Sequence, residues 1–184
     1  MFSADERAEI ESVKDIVQKK LRNLLSDLPV ETYPYFKECI LTGGCFASLF
    51  LDEEIHDWDV YLRDSVTISR FESFVMSDTP TLNEVADVTS EYMIITNVDG
   101  KLVTKGYAIT FKNGLQVITK ADKTHRETFD FLHCMPYFDM ATQQLFISRR
   151  QYDAIKDKKL VKNPKHALAL NEQRVEKFIS RGWN

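Results

Sequence analysis

Two aspartates separated by one residue, Asp57 and Asp59, lie in the run Asp57-Trp58-Asp59-Val60-Tyr61-Leu62, with twelve residues between it and the glycine pair Gly43-Gly44. The alternation over 57–62 predicts a strand. On a strand every second side chain shares a face, so the two carboxylates point the same way, ~6–7 Å apart along the chain. Such a pair repels itself unless a cation lies between, and it is well placed to share a divalent metal. Mg²⁺ takes oxygen ligands, keeps several waters, and is usually held by one or two carboxylates together with substrate phosphates. The two glycines let backbone approach a phosphate closely. A helix opening there would offer free N–H groups and a positive dipole end to the same anion. A phosphate clamp beside metal-binding carboxylates is the equipment of phosphoryl transfer, which needs positioning and charge neutralisation more than covalent help.

These residues need elements to hold them. Phe36–Thr42 reads as a short buried strand ending at the glycines, and 45–51 as a short apolar helix. Upstream, Ser3 and Glu6 fit a capping box, and Ile10, Val13, Val17, Leu21, Leu24 and Leu28 recur at helical spacing, which predicts a helix over about 4–27. Residues 66–77 read as helix and the stretch around Asp78-Thr79-Pro80 as loop. Segments 91–98, 101–111 and 114–119 are rich in Ile, Val, Thr, Tyr and Phe and are separated by Asp99-Gly100 and Asn113-Gly114. They predict a three-stranded antiparallel meander. Residues 129–138 read as a further strand with 143–147 as its hairpin partner. Ser148 caps a helix over 149–157, and Asn163-Pro164 opens a last helix that ends at Gly182. The expected architecture is α+β: a mixed or antiparallel sheet flanked by helices. Residues 1–148 form the core with its N-terminal helix, and 149–184 form a basic helical segment packed on it.

Composition narrows the classes. The 184 residues carry 24 Lys and Arg against 28 Asp and Glu, a formal charge of −4, with 43% hydrophobic residues. That is ordinary for a globular chain long enough to bury a core without staples. Three cysteines at unrelated spacing do not make a disulfide framework, and with His56 and His133 they lack the spacing of a zinc site. Cys45 reads as a small buried hydrophobe. The N-terminus is too charged for a signal peptide, and no apolar run approaches the ~20 residues that span a bilayer. The expected location is the cytoplasm, that of the host if the protein is viral. Charge is unevenly spread: residues 1–144 hold 14 basic and 24 acidic side chains, residues 145–184 hold 10 basic and 4 acidic. Opposite signs in the two parts fit either a phosphate-binding element beside a metal-binding one or a solvated basic helix docked on an acidic body.

Taken in order, strand, Gly-Gly, short helix and Asp-h-Asp-h strand, the stretch 38–62 resembles the signature of nucleotidyltransferases of the DNA polymerase beta superfamily. It is similar in texture to the heads of CCA-adding enzymes and to small nucleotidyltransferases of tailed phages. The resemblance implies a nucleotidyltransferase fold over roughly 36–138. It implies that Gly43 and Gly44, with Ser48 on the helix they open, contact a nucleoside triphosphate. It also implies that Asp57 and Asp59 hold Mg²⁺ or Mn²⁺ with a third carboxylate from a later strand. Asp130, flanked by Phe129 and Phe131, is the candidate for that third acid, as metal ligand and proton acceptor. The other reading of Asp130 is a carboxylate paired with a neighbouring Arg or Lys.

The segment 163–183 loosely resembles the nucleotide-binding helix of CCA-adding enzymes. Within it Arg174, Lys177 and Arg181 share one helical face, Arg174 and Lys177 being the nucleotide-binding candidates. That face meets a triphosphate or an RNA backbone, or else is a solvated stripe. The implied activity is transfer of a nucleoside monophosphate from an NTP to an acceptor hydroxyl, on RNA of tRNA-like kind or on protein, with pyrophosphate released and no membrane partner. The alternative is the same fold without catalysis, as a binding or structural protein such as a phage virion component or an inhibitor.

Overall fold

The capping box forms at Ser3. The Glu6 N–H donates to Ser3 Oγ at 3.2 Å, and the Ser3 N–H donates to Glu6 Oε2 at 2.6 Å. It opens helix α1 (Ala4–Ser26), whose buried positions Val13, Val17, Leu21 and Leu24 are those of the apolar stripe. Helix α2 (Tyr33–Phe36) follows, then strand β1 (Ile40–Thr42), helix α3 (Gly44–Leu51), strand β2 (Trp58–Tyr61) and helix α4 (Ser65–Met76), which is capped by Asp64. Strands β3 (Met93–Val98), β4 (Lys101–Lys105), β5 (Ala108–Thr110) and β6 (Leu115–Ile118) come next. Strands β7 (Tyr137–Asp139) and β8 (Gln144–Phe146) precede helices α5 (Arg149–Lys156) and α6 (Glu172–Ile179). This computed structural model describes residues 1–77, 93–98, 101–105, 108–111 and 113–184, with the backbone alone for Met76 and for β3 and β4. The loop expected at 78–80 and the turn Asp99-Gly100 lie outside the described residues.

Six strands form one mixed sheet in the order β5-β6-β2-β1-β7-β8, while β3 and β4 form a separate antiparallel pair. The architecture is α+β, a mixed sheet flanked by helices with a helical C-terminus. Strand β2 lies inside the sheet, parallel to β6 and antiparallel to β1. Its register pairs Trp58 with Leu115 and Val60 with Val117, and β1 pairs Leu41 with Val60. Those side chains make one face of the sheet and belong to a single buried cluster with α1, Phe46 and Phe50 of α3, and Phe71 of α4. The opposite face carries Asp59 and Tyr61, with Gln116 beside Asp59 on β6.

Several sequence expectations need correction. The strand expected over 36–42 is confined to 40–42, because Tyr33–Phe36 closes into a turn of helix. The meander is two hairpins: β3–β4 stand apart, and β5–β6 join the main sheet through the Asn113-Gly114 turn, where Gly114 has φ +86°. The strand expected over 129–138 exists only at 137–139. Before it, Leu132–Cys134 form a 3₁₀ turn, and backbone groups of 127–132 bond to 161–163 instead of a sheet. The Leu132 N–H donates to Val161 O, the Asn163 N–H to Asp130 O, and the Asn163 side chain to Glu127 O and Phe129 O. The same asparagine explains why the last helix does not begin at 163: its Oδ1 accepts from the Lys165 N–H in a side-chain-closed turn. Helix starts only at Glu172, capped by Asn171.

Candidate functional site

Gly43 stands between β1 and α3 at φ +99°, ψ −156°, backbone that only glycine adopts readily. A Cβ placed there would meet Asp59 Oδ2 at 2.9 Å. The glycine is therefore needed twice, for the turn and for the approach of the Asp59 carboxylate. Its N–H donates to Cys134 O at 3.2 Å, which ties the turn to the 132–134 segment. Gly44 begins α3 with open space where a side chain would be, and Gly43, Gly44 and Cys45 at the start of the helix line the cleft. Ser48, one turn on, lines the same cleft.

Asp57 immediately precedes β2 and Asp59 is its second residue, so the chain's alternation sends both carboxyl groups into one cleft of about 290 Å³ beside Gly43 and Gly44. Trp58 between them turns to the core and is 7% exposed. Asp57 is exposed at the mouth. Asp59 lies deeper, and its Oδ1 is buried with no hydrogen-bond partner. Burial first, and the charge of Asp57 second, push the Asp59 carboxyl up to about 6, while Arg174 and Lys177 pull the other way. An orphaned carboxylate oxygen next to a second carboxylate is a donor set short of a cation, and a hard divalent ion with water in its remaining positions fits it. Cys45, by contrast, is buried with its thiol held well above the ordinary range by burial and by Asp59, so it offers no thiolate.

The facing wall comes from the C-terminus. Arg174, Lys177 and Arg181 all line the cleft from α6 and the turn that ends it. Their helix is docked by Phe178 and Trp183, which close an aromatic cage round His133 with ring centroids 4.5 and 4.0 Å from the imidazole and Phe131 at 5.5 Å on another side. The rest of the basic segment serves differently. Arg149 pairs with Glu6, Lys156 with Glu9 and Lys165 with Glu127, fastening the segment to the acidic body. The basic segment thus divides between residues that fasten it to the acidic body and residues that line the cleft.

Asp130 does not join Asp57 and Asp59. Its Oδ1 accepts from the Phe131 N–H at 2.9 Å, its Oδ2 forms an ion pair with Arg174 Nε, and it lines a neighbouring cavity. The cause is the missing strand: with 129–132 bonded to 161–163, the side chain turns towards α6. Among the described residues no group of three or more His, Cys, Asp and Glu is placed to hold one metal ion. The structure also brings in residues that spacing did not single out. Tyr61 and Phe129 line the cleft with His56 and Ile55. Tyr61 was accessible to sequence reasoning as the next residue after Asp59 on the same strand face.

The fold and site define an α+β protein in which a strand–Gly-Gly–helix–strand unit with two carboxylates faces a cationic helix across a small polar cleft. The chain belongs to the Gabija anti-defense 2 family: the family model described as Gad2, Gabija anti-defense 2 family protein, matches residues 15–158. No curated protein matches it. Among solved structures, it is similar to the apo form I of a CCA-adding enzyme at 13% identity and a TM-score of 0.49, over 88% of this chain and 37% of that one. A CCA-adding enzyme with CTP gives 13% identity and a TM-score of 0.48, over 89% and 39%. The Thermotoga maritima CCA-adding enzyme complexed with tRNA gives 14% identity and a TM-score of 0.47, over 80% and 34%. The chain spans little more than a third of the length of these enzymes. Among the described residues no helix is long and apolar enough to cross a membrane.

Proposed function

We propose that this chain is a nucleotidyltransferase that moves a nucleoside monophosphate from an NTP to an acceptor hydroxyl, and that it works against the Gabija defence named in its family. The observation that carries this reading is the contact of Gly43 with the Asp59 carboxylate at the start of α3. It sets a helix N-terminus, two carboxylates and three cations round one cleft.

In this reading the N–H groups at the start of α3, with Ser48, receive the terminal phosphates, where the helix dipole favours negative charge. Arg174, Lys177 and Arg181 oppose them and neutralise the triphosphate from the other side. Asp57 and Asp59 are the residues that would hold Mg²⁺ or Mn²⁺, which when bound supplies charge neutralisation at the phosphate under attack. Asp59, half-buried and fixed by the sheet, orients that end of the site, and Asp57 at the mouth completes the pair. Phe178 and Phe129 narrow the cleft and limit water round the reacting groups.

A second reading is a catalytically silent inhibitor with the same fold, and the placing of Asp130 favours it. A carboxylate engaged by Arg174 leaves the cleft, among the described residues, with two acids and no third to accept the proton of the attacking hydroxyl. One experiment separates the two readings. The protein is incubated with each α-labelled NTP, Mg²⁺ and an extract of cells carrying the Gabija system, and label retained in macromolecules is compared between wild type and Asp59→Asn. In the same strains, survival of the defence is scored. Enzyme action requires label transfer and defence blocking to be lost together in the variant. Blocking retained by Asp59→Asn, with no label in either protein, sinks the transferase reading.

A further inference from the structure

Next to the polar cleft lies a second cavity, of about 540 Å³, which the phosphate chemistry above leaves unused. The two are contiguous, since Tyr61, Phe129 and Arg174 line both. Their characters differ. The first is walled by carboxylates, cations and the start of α3, and the second, beside the Asp130–Arg174 ion pair and Lys165, is distinguished by its rings. The second has a cluster of three rings: Tyr61 and His125 are stacked with centroids 6.4 Å apart and 23° between planes, and Phe129 lies 5.9 Å from Tyr61 and 5.8 Å from His125.

Its far wall is the loop 165–171. That loop is already fixed, because Asn163 bonds the chain at 127–130, Lys162 Nζ donates to Leu168 O at 3.2 Å, and His166 Nδ1 lies 2.8 Å from Thr128 O. With Nδ1 donating to that carbonyl, His166 Nε2 is an acceptor. Ala167 and Ala169 leave room instead of filling it. The cavity size is that of a small-molecule subsite, with flat walls and a few polar groups.

A nucleoside triphosphate has an anionic end and a flat aromatic end, which are the two characters found here. Along β2 the order Asp57, Asp59, Tyr61 leads from the acids to the rings. Resting on the proposed function, we infer that the cavity between Tyr61, His125, Phe129 and the 165–171 loop receives the nucleobase of the NTP, stacked against the aromatic cluster, while the phosphates occupy the cleft at Gly43-Gly44. The 165–171 loop is then what selects the nucleotide.

The test compares binding of tripolyphosphate and of the four NTPs, each with Mg²⁺, by calorimetry on the full chain. Wild type should bind at least one NTP about tenfold or more tighter than tripolyphosphate, the worth of one stacked base. Ala169→Trp fills the cavity from an exposed loop position, away from the phosphate site. It should erase that preference and leave tripolyphosphate affinity unchanged, and His125→Ala should weaken the same NTP several-fold with its fold checked by circular dichroism. Equal affinity of wild type for tripolyphosphate and every NTP overturns the inference while leaving the phosphate site standing. Unchanged NTP affinity in Ala169→Trp with loss of label transfer also overturns it, and gives the cavity to the acceptor. No binding of either ligand by wild type sinks the proposed function and this inference together.

Discussion

The two walls of the cleft are built by different means. The acidic wall belongs to β1, α3 and β2, contiguous in the chain and held by sheet hydrogen bonds on both sides of β2. Its close contact, Gly43 against Asp59, has no slack. The cationic wall is one eight-residue helix beyond the sheet, held by two aromatic residues on a buried histidine and by the Arg174–Asp130 ion pair. Position is thus fixed where charge must be placed accurately, and adjustable where it need only be supplied. Long cationic side chains tolerate a less rigid mount, because attraction to phosphate falls off slowly inside a Debye length.

Breaking the acidic wall should have the largest effect. Asp59→Asn should lower transfer by at least about 100-fold, since even groups that merely orient metal ligands cost 10–100-fold. The same change should stabilise the metal-free protein. Asp59 has its carboxyl raised to about 6, so its ionised form is disfavoured in the fold. The resulting penalty is full above that pH and gone once pH falls below the unfolded value near 4. The variant should therefore be more stable by roughly 3 kcal/mol at pH 8 and close to wild type at about pH 3 in thermal melts. A variant that is less stable at pH 8 without metal would show that the carboxylate has a partner the geometry does not reveal.

Gly43→Ala tests the fixed position itself. Alanine at φ +99° is strained, and its methyl group would press on Asp59 Oδ2 from 2.9 Å. A loss of about 3 kcal/mol is expected from denaturant titration. Gly44→Ala, at a helical position with open space round the added carbon, should be neutral or stabilising by up to about 1 kcal/mol and so serves as the control. Equal losses at the two positions would mean that the Gly43–Asp59 contact is not tight.

The same contrast explains what could be read from the sequence. The unit 40–61 closes on itself within a few turns of chain, so alternation at 57–62 and the glycine pair were enough to bring Asp57, Asp59 and Gly43 to one cleft, while Ser48 came from the resemblance. The caps at Ser3 and Ser148 were legible because each is complete within four residues. Third acid and arginine partner were both open readings of Asp130, and the sequence could not choose between them, because its direction is set by Asn163 and Val161, some thirty residues later, drawing off the backbone bonds a strand would have used. Tyr61 follows Asp59 on the same strand face, but it is the gap left by the 165–171 loop that makes Tyr61 and Phe129 a cavity wall. The basic segment could be read as phosphate-binding or as solvated, since its charge count does not say which residues meet Glu6, Glu9 and Glu127 and which meet the cleft.

The mount of the cationic wall is open to pH. His133 is fully buried with neither ring nitrogen bonded, and burial, helped by Arg174, holds its pKa down to about 3. The neutral form is the folded one. Stability is therefore whole above the unfolded value of 6.5 and is lost progressively as pH falls towards 3, by about 2 kcal/mol between pH 7 and pH 5. His133→Phe keeps a ring in the cage and removes the titration. The difference between variant and wild type, in which the opposite contribution of Asp59 cancels, should grow as pH falls. Amide exchange on α6 should follow the same course in wild type. A pH-independent difference would mean that the imidazole is reached by water.

The smallest effect should come from the cations themselves. Arg174 and Lys177 line the cleft from α6, and both lower the cost of ionising Asp59. Each is exposed, so each contact with phosphate is worth at most about 1 kcal/mol and is screened by salt. Arg174→Ala/Lys177→Ala should weaken NTP binding about tenfold at low ionic strength and flatten the fall in affinity between about 0.05 and 0.5 M salt. Arg174→Ala carries a second consequence, since it frees Asp130, whose carboxylate then keeps only the Phe131 N–H. Asp130→Asn separates the two effects: it removes the ion pair but leaves the guanidinium. If Asp130 only restrains Arg174, NTP affinity in Asp130→Asn should hold or rise slightly, because the cation is released to the cleft. If affinity drops as far as in the double variant, the ion pair is what aims Arg174, and the cationic wall is as closely positioned as the acidic one. An unchanged affinity and salt slope in the double variant would assign these two side chains to solvent and leave Arg181 and the α3 N–H groups to meet the phosphates.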